Sequence, residues 1–165
     1  AVELLNKLIK DELKSKFRTN IVKQKKFSDL LQKAITRYQN RSIEAVQVIA
    51  ELIEMAKQFK KDLNKTKELN LNPEENAFYD ALSNNKSAEE LMGEEVLIQI
   101  AREIAEKLRK NVTVDWNVKE SVRAKLRLII KNILKRYKYP PDEEKKAIDL
   151  VLVQAEQFSE EWSVN

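Results

Sequence analysis

One glycine in 165 residues constrains this chain more than any other feature. Three prolines accompany it. A β protein of this size needs many tight turns, and those turns draw on Gly, Pro, Asn and Asp. Helices need few of them. The expected fold is therefore all-α, an irregular bundle of six to eight helices. Hydrophobic residues make up 42% of the chain, enough for a real core, and 35% of residues are charged. The length suits one domain spanning 1–165, with room for sub-bundles at 1–68 and 72–165. The opening Ala already lies inside a helical pattern, as expected of a piece excised from a longer protein.

The clearest helical pattern runs from Asp115 to Pro141. Val118, Val122, Leu126, Ile129, Ile130, Ile133, Leu134 and Tyr137 recur at steps of three and four, one face of a 3.6-residue helix. Asp115 or Asn117 is placed to cap its start. Tyr139-Pro140-Pro141 stops it, because the residue before a proline is driven from the α region. Pro141-Asp142-Glu143-Glu144 then opens a last helix with an acidic first turn. Ile148, Val151, Leu152, Ala155 and Phe158 form its core face.

Earlier segments follow the same logic. Val2, Leu5, Leu8, Ile9 and Leu13 make one face of a first helix ending near Lys16. The stretch to Lys26 is irregular, with Thr19 or Asn20 suited to cap or turn. From Phe27 the period returns through Leu30, Leu31, Ala34, Ile35 and Tyr38. It continues in phase through Ala45, Ile49, Leu52, Ala56, Phe59 and Leu63. This stretch reads as one helix of about 60 Å, or as two with a break near Asn40–Ser42 whose residues cap the second. The break is preferred. Asn72-Pro73-Glu74-Glu75 spells a helix start after the boundary at 69–73. Ser87 with Glu90 spells a capping box, and Gly93 ends or kinks the turn that follows. Val96, Leu97, Ile100, Ile104, Ala105 and Leu108 mark a further helix to Asn111.

The chain has no Cys and no His. Disulfides, Cys/His zinc sites and Ser-His-Asp triads are thereby excluded. One glycine cannot build GxxxxGK[ST] or GxGxxG, so nucleotide binding through those loops is excluded too. No catalytic, cofactor-binding or metal-binding residue is assigned. Acidic clusters at Glu74-Glu75, Glu89-Glu90, Glu94-Glu95, Asp142-Glu143-Glu144 and Glu160-Glu161 fall mostly at expected helix starts, where negative charge complements the dipole. Pro141-Asp142 with Glu143-Glu144-Lys145 contains the letters of a PD…ExK nuclease site. Such a site needs its carboxylates on adjacent strands, whereas neighbours in a helical turn diverge. No apolar run approaches the roughly 18 residues of a membrane span, and charges interrupt the N-terminus. A cytoplasmic location without membrane contact is expected, and the lack of Cys fits it.

Charge is arranged in blocks. Residues 1–70 hold 16 basic and 9 acidic residues, net +7; residues 71–114 hold 5 and 9, net −4. Residues 115–141 hold 8 and 2, net +6; residues 142–165 hold 2 and 7, net −5. Arg123, Arg127, Lys131 and Lys135 recur at steps of four and form a basic row. The favoured reading is a face that is solvated or paired with the acidic blocks; the alternative is a surface that tracks DNA phosphates. Lys23, Lys25 and Lys26 form a smaller cluster open to the same two readings. Trp116 and Trp162 flank the last two helices, as bundle closures or as candidate partner anchors.

Three strings carry a resemblance. They are Arg37-Tyr38-Gln39-Asn40-Arg41 with Val48-Ile49-Ala50-Glu51-Leu52-Ile53, Glu75-Asn76-Ala77-Phe78-Tyr79-Asp80-Ala81-Leu82, and Asp115-Trp116 through Tyr139-Pro140-Pro141-Asp142. In this order they resemble the C-terminal helical region of the restriction (motor) subunit of type I restriction–modification enzymes, most clearly from Leu69 to Trp162. The resemblance implies a parent polypeptide with a nuclease domain and two helicase-type ATPase domains. That parent would be an ATP-dependent deoxyribonuclease that translocates DNA, using ATP and Mg²⁺. It further implies that this region docks onto the methyltransferase and specificity subunits, with DNA present in the full complex. No catalytic residue is carried over onto this stretch.

Overall fold

The computed structural model describes residues 1–111 and 120–164. Among them are eight helices and no strand. They are α1 (Val2–Lys16), α2 (Ile21–Gln39), α3 (Ala45–Glu68), α4 (Pro73–Ser83), α5 (Lys86–Met92), α6 (Glu94–Asn111), α7 (Glu120–Arg136) and α8 (Pro141–Val164). The chain divides into two compact units, Ala1–Leu71 and Asn72–Asn165.

The first unit packs α1, α2 and α3 against one another. Lys23 and Lys26 reach Asp62, and Arg37 reaches Glu51, so α2 and α3 run antiparallel. Three phenylalanines close the core. The rings of Phe17 and Phe59 lie 4.9 Å apart, those of Phe27 and Phe59 5.4 Å. Each such ring, once buried, stabilises the unit by about 1.5–3 kcal/mol. Val48, Leu52 and Met55 fill the rest of the α3 face. The expected face was slightly out of phase: Ala45 and Ala56 are exposed, while Val48 and Met55 are buried.

The break between α2 and α3 exists, but its chemistry differs from the expected cap. Arg41 takes the left-handed conformation with φ 60°. The Ser42 amide donates to the Arg37 carbonyl (2.8 Å) and the Arg41 amide to the Tyr38 carbonyl (3.0 Å). This is a Schellman termination, normally built on glycine. Glu44, not a residue of Asn40–Ser42, occupies the N-cap of α3, and its side chain makes no capping bond. α2 also begins earlier than the apolar period suggests. The Asn20 side chain accepts from the Lys23 amide and starts the helix at Ile21.

In the second unit α4 is central, packing on α6 and α8, while α7 lies against α6 and α8. The Asn72 start is a full capping box. Glu75 donates its amide to Asn72 Oδ1 (2.7 Å), and the Asn72 amide donates to Glu75 Oε1 (3.0 Å). The Ser87–Glu90 box is not formed. Asn85 caps α5 instead, its Oδ1 accepting from both the amide and the hydroxyl of Ser87. Asn is an equally good cap and stands one residue ahead of the helix, so it takes the role. Gly93 ends α5 with φ 85°. A side chain there would meet nothing within 4 Å, so glycine serves the backbone turn, not a close approach.

α7 ends as α2 does. Lys138 has φ 60°, the Tyr139 amide donates to the Leu134 carbonyl (2.9 Å), and the Lys138 amide to the Lys135 carbonyl (3.0 Å). Leu134 and Tyr139 are both buried beside this turn. Asp115 and Asn117, the alternative expected caps, and Val118 of the expected apolar face lie outside the described residues.

Candidate interaction surfaces

The basic row stands on α7, and its four residues divide into two pairs. Arg123 pairs with Glu156 and Arg127 with Asp149 (2.7 Å), both acids on α8. The pairings run in opposite senses along the two helices, so α7 and α8 are antiparallel. The N-terminal half of the row thus lies over the acidic block. Lys131 and Lys135 are exposed and form no ion pair with a described residue. Arg136, one step beyond the row, pairs with Glu103 on α6. These guanidinium–carboxylate contacts are half open to solvent, worth about 0.2–1 kcal/mol each. They bias which faces meet more than they hold the unit together.

The smaller cluster is consumed in the same way. Lys25 pairs with Asp29, while Lys23 and Lys26 share Asp62 at 3.1 and 3.0 Å. Gln58 donates a further bond to Asp62. Burial alone would push the Asp62 carboxyl up. The Lys26 and Lys23 ammonium groups and Gln58 outweigh that and hold it below the usual carboxylate range.

Trp162 is only 6% exposed. Its ring stacks on Phe158 (5.6 Å) and tilts against Phe78 (6.3 Å). It belongs to the core of the second unit and does not stand on the surface as an anchor, because α8 turns that face onto α4. Trp116 lies outside the described residues. Asp142, Glu143 and Glu144 occupy consecutive positions in the first turn of α8, so the nuclease-like letters do not converge. Among the described residues, no group of three or more Asp, Glu, His or Cys is placed to hold a metal ion. No described helix is long and apolar enough to cross a membrane.

One surface was missed by the reading of the sequence. A groove of about 520 Å³ runs between α1 and α3, its walls formed by Leu5, Leu8, Ile53 and Leu63, with Lys57 and Lys60 at its rim. Leu8 is 51% exposed and Ile53 45%. Leu4 (62%) stands one turn before Leu8, and Val46 (79%) two turns before Ile53. Scattered exposed leucines are ordinary, but exposed apolar residues gathered at one groove make it a candidate interaction site. Leu5 and Leu8 stood in the sequence as part of the α1 apolar stripe, expected to face the core.

Comparisons with known proteins agree on one family. Residues 1–161 match the model described as type I restriction enzyme HindI endonuclease subunit-like, C-terminal. Over 160 residues the chain is 44% identical to the type I restriction enzyme HindI endonuclease subunit of Haemophilus influenzae, covering 97% of this chain and 15% of that protein. It is 32% identical over 133 residues to a proposed type I restriction enzyme MjaIXP endonuclease subunit of Methanocaldococcus jannaschii, covering 80% of this chain and 13% of that protein. No solved structure gives a significant match. The chain, similar to a small fraction of each relative's length, belongs to the family of C-terminal regions of type I restriction enzyme endonuclease subunits.

Proposed function

We propose that this region is a non-catalytic assembly module. It attaches the motor and nuclease subunit of a type I restriction enzyme to the methyltransferase and specificity subunits. The observation that carries this reading is the apolar groove between α1 and α3, left open to solvent on a unit that already has its own aromatic core. A surface of that kind gains free energy when another protein covers it. In this reading ATP and Mg²⁺ act in the parts of the parent that lie outside this chain, where DNA is translocated and cut. The test is deletion of residues 1–165 from the full-length subunit, followed by pull-down with the methyltransferase–specificity core. Loss of assembly, with retained ATPase activity of the remaining subunit, is the expected result. Intact assembly refutes the reading.

A second reading has its own support. Lys131 and Lys135 are exposed and pair with no described carboxylate, adjacent along one face of α7. In this reading they contact DNA phosphates beside the motor. Lys131→Glu with Lys135→Glu would then lower duplex affinity and flatten the slope of log affinity against log salt by about 1.8. An unchanged slope removes this reading and leaves the assembly role untouched.

A further inference from the structure

We propose that the groove between α1 and α3 receives an amphipathic helix of a neighbouring subunit whose apolar stripe is flanked by carboxylates. The proposal rests on the assembly reading and supplies its surface and the chemistry of its occupant.

The dimensions suit a helix. The lining runs from Leu5 to Glu12 on α1 and from Leu52 to Leu63 on α3. At 1.5 Å per residue these spans are about 10 and 16 Å, two to three helical turns. A partner helix would present apolar anchors at steps of three and four to Leu5, Leu8, Ile53 and Leu63. Burial of the exposed Leu8 and Ile53 surfaces, and of what the half-buried Leu5 and Leu63 leave open, supplies the driving force.

The rim selects charge. Lys57 and Lys60 line the groove, and Glu12 is the single acid among its lining residues. Lys16, four residues beyond Glu12, and Lys67, seven beyond Lys60, continue the same helix faces. Lys16, Lys60 and Lys67 are exposed and pair with no described carboxylate. Among the described residues Lys57 meets only Glu54, in an exposed pair at 3.3 Å. The surrounding residues 1–70 carry net +7. An occupant with acidic flanks is drawn in, and a basic one is repelled. A second copy of this groove face would set lysine against lysine. The acidic helix of this chain, α8, buries Val151, Leu152, Ala155 and Phe158 within its own unit, so that apolar face is already occupied.

The experiment uses the full-length subunit with its modification and specificity subunits. A photoreactive benzoylphenylalanine replaces Ile53, and crosslinks are mapped by mass spectrometry. A crosslink to a helix of another subunit with acidic flanks supports the proposal. Crosslinks confined to the same polypeptide, to a second copy of it, to a partner segment without acidic flanks, or to nothing overturn it. In parallel, Ile53→Glu and the double variant Lys57→Glu with Lys60→Glu are titrated against the core complex. Each weakens assembly about tenfold or more, and the lysine effect shrinks as salt rises. These positions are exposed, so melting temperatures stay unchanged and folding failure is separated from lost binding. If deletion of residues 1–165 abolishes assembly while both variants assemble normally, this surface is wrong and the assembly role stands. If the deletion leaves assembly intact, the assembly role itself falls.

Discussion

Tyr139→Phe tests the tie between the last loop of the second unit and the end of α4. The Tyr139 hydroxyl donates to the Leu82 carbonyl at 2.7 Å, and the residue is 2% exposed. Leu82 lies in the last turn of α4, whose carbonyls have no partner further along the helix. Removing the hydroxyl deletes one bond and strands a buried acceptor, at a cost of about 1–2 kcal/mol. The lower end applies if water enters from the polar cavity that Tyr139 and Asn85 line beside it. The assay is urea unfolding followed by tryptophan fluorescence, because both tryptophans belong to residues 72–165 and report on that unit. The midpoint should fall with an unchanged slope.

Alkaline pH supplies a second arm. Burial first, then the Glu143 carboxylate, pushes the Tyr139 phenol from 10.0 up to about 12. Above pH 10 the unfolded chain releases this proton while the folded chain retains it. Stability therefore falls as pH rises from about 10 to about 12, by at most about 1.4 kcal/mol per pH unit from this group. Tyr139→Phe lacks that loss, so the gap between the two proteins narrows over the same window. A variant as stable as the parent at neutral pH, with a constant gap above pH 10, would refute the reasoning.

The remaining expectations are smaller. Lys138→Gly removes a left-handed lysine at φ 60° and should stabilise the chain by about 0.5–1 kcal/mol, measured as a rise in the fluorescence-detected midpoint. Asp62→Asn should cost about 1–3 kcal/mol at neutral pH by leaving Lys23 and Lys26 without their shared carboxylate. Because the folded Asp62 titrates below its unfolded value, the parent's advantage is full above about pH 4–5 and disappears as pH falls through the folded value; acid titration of both proteins by circular dichroism checks this. A double-mutant cycle on Arg127 and Asp149, each about half exposed, should give a coupling under about 1 kcal/mol that weakens in high salt.

Periodicity made most of the helices legible, since burial on one face leaves its spacing in the sequence. Leu97, Ile100, Ile104 and Leu108 on α6, and Ile148, Val151, Leu152 and Phe158 on α8, are buried as their spacing implies. The Asn72-Pro73-Glu74-Glu75 start was legible because a capping box is local chemistry. Terminations were harder. Prolines marked where α7 stops, but Arg41 and Lys138 adopt the conformation that glycine usually signals, so the form of these turns carries no compositional mark. Partner choice was hidden for a different reason. Arg123 and Glu156 are 33 residues apart, and nothing local says that their helices face each other. The groove lay hidden inside a correct observation. Leu5, Leu8 and Ile9 share a face, but a stripe does not reveal how much of it a neighbour covers.

The left-handed terminations also bear on how a protease meets this chain. Arg41 and Lys138 are both residues after which trypsin cuts, and both are exposed. Cleavage needs several residues in extended form, free to enter the enzyme's cleft. Here the amide immediately after each residue, that of Ser42 or Tyr139, is bound back into the helix it terminates. Attack must wait for the whole turn to unwind, and at Lys138 that also means pulling the Tyr139 ring from its buried seat. The two joints are therefore accessible by surface and shielded by conformation.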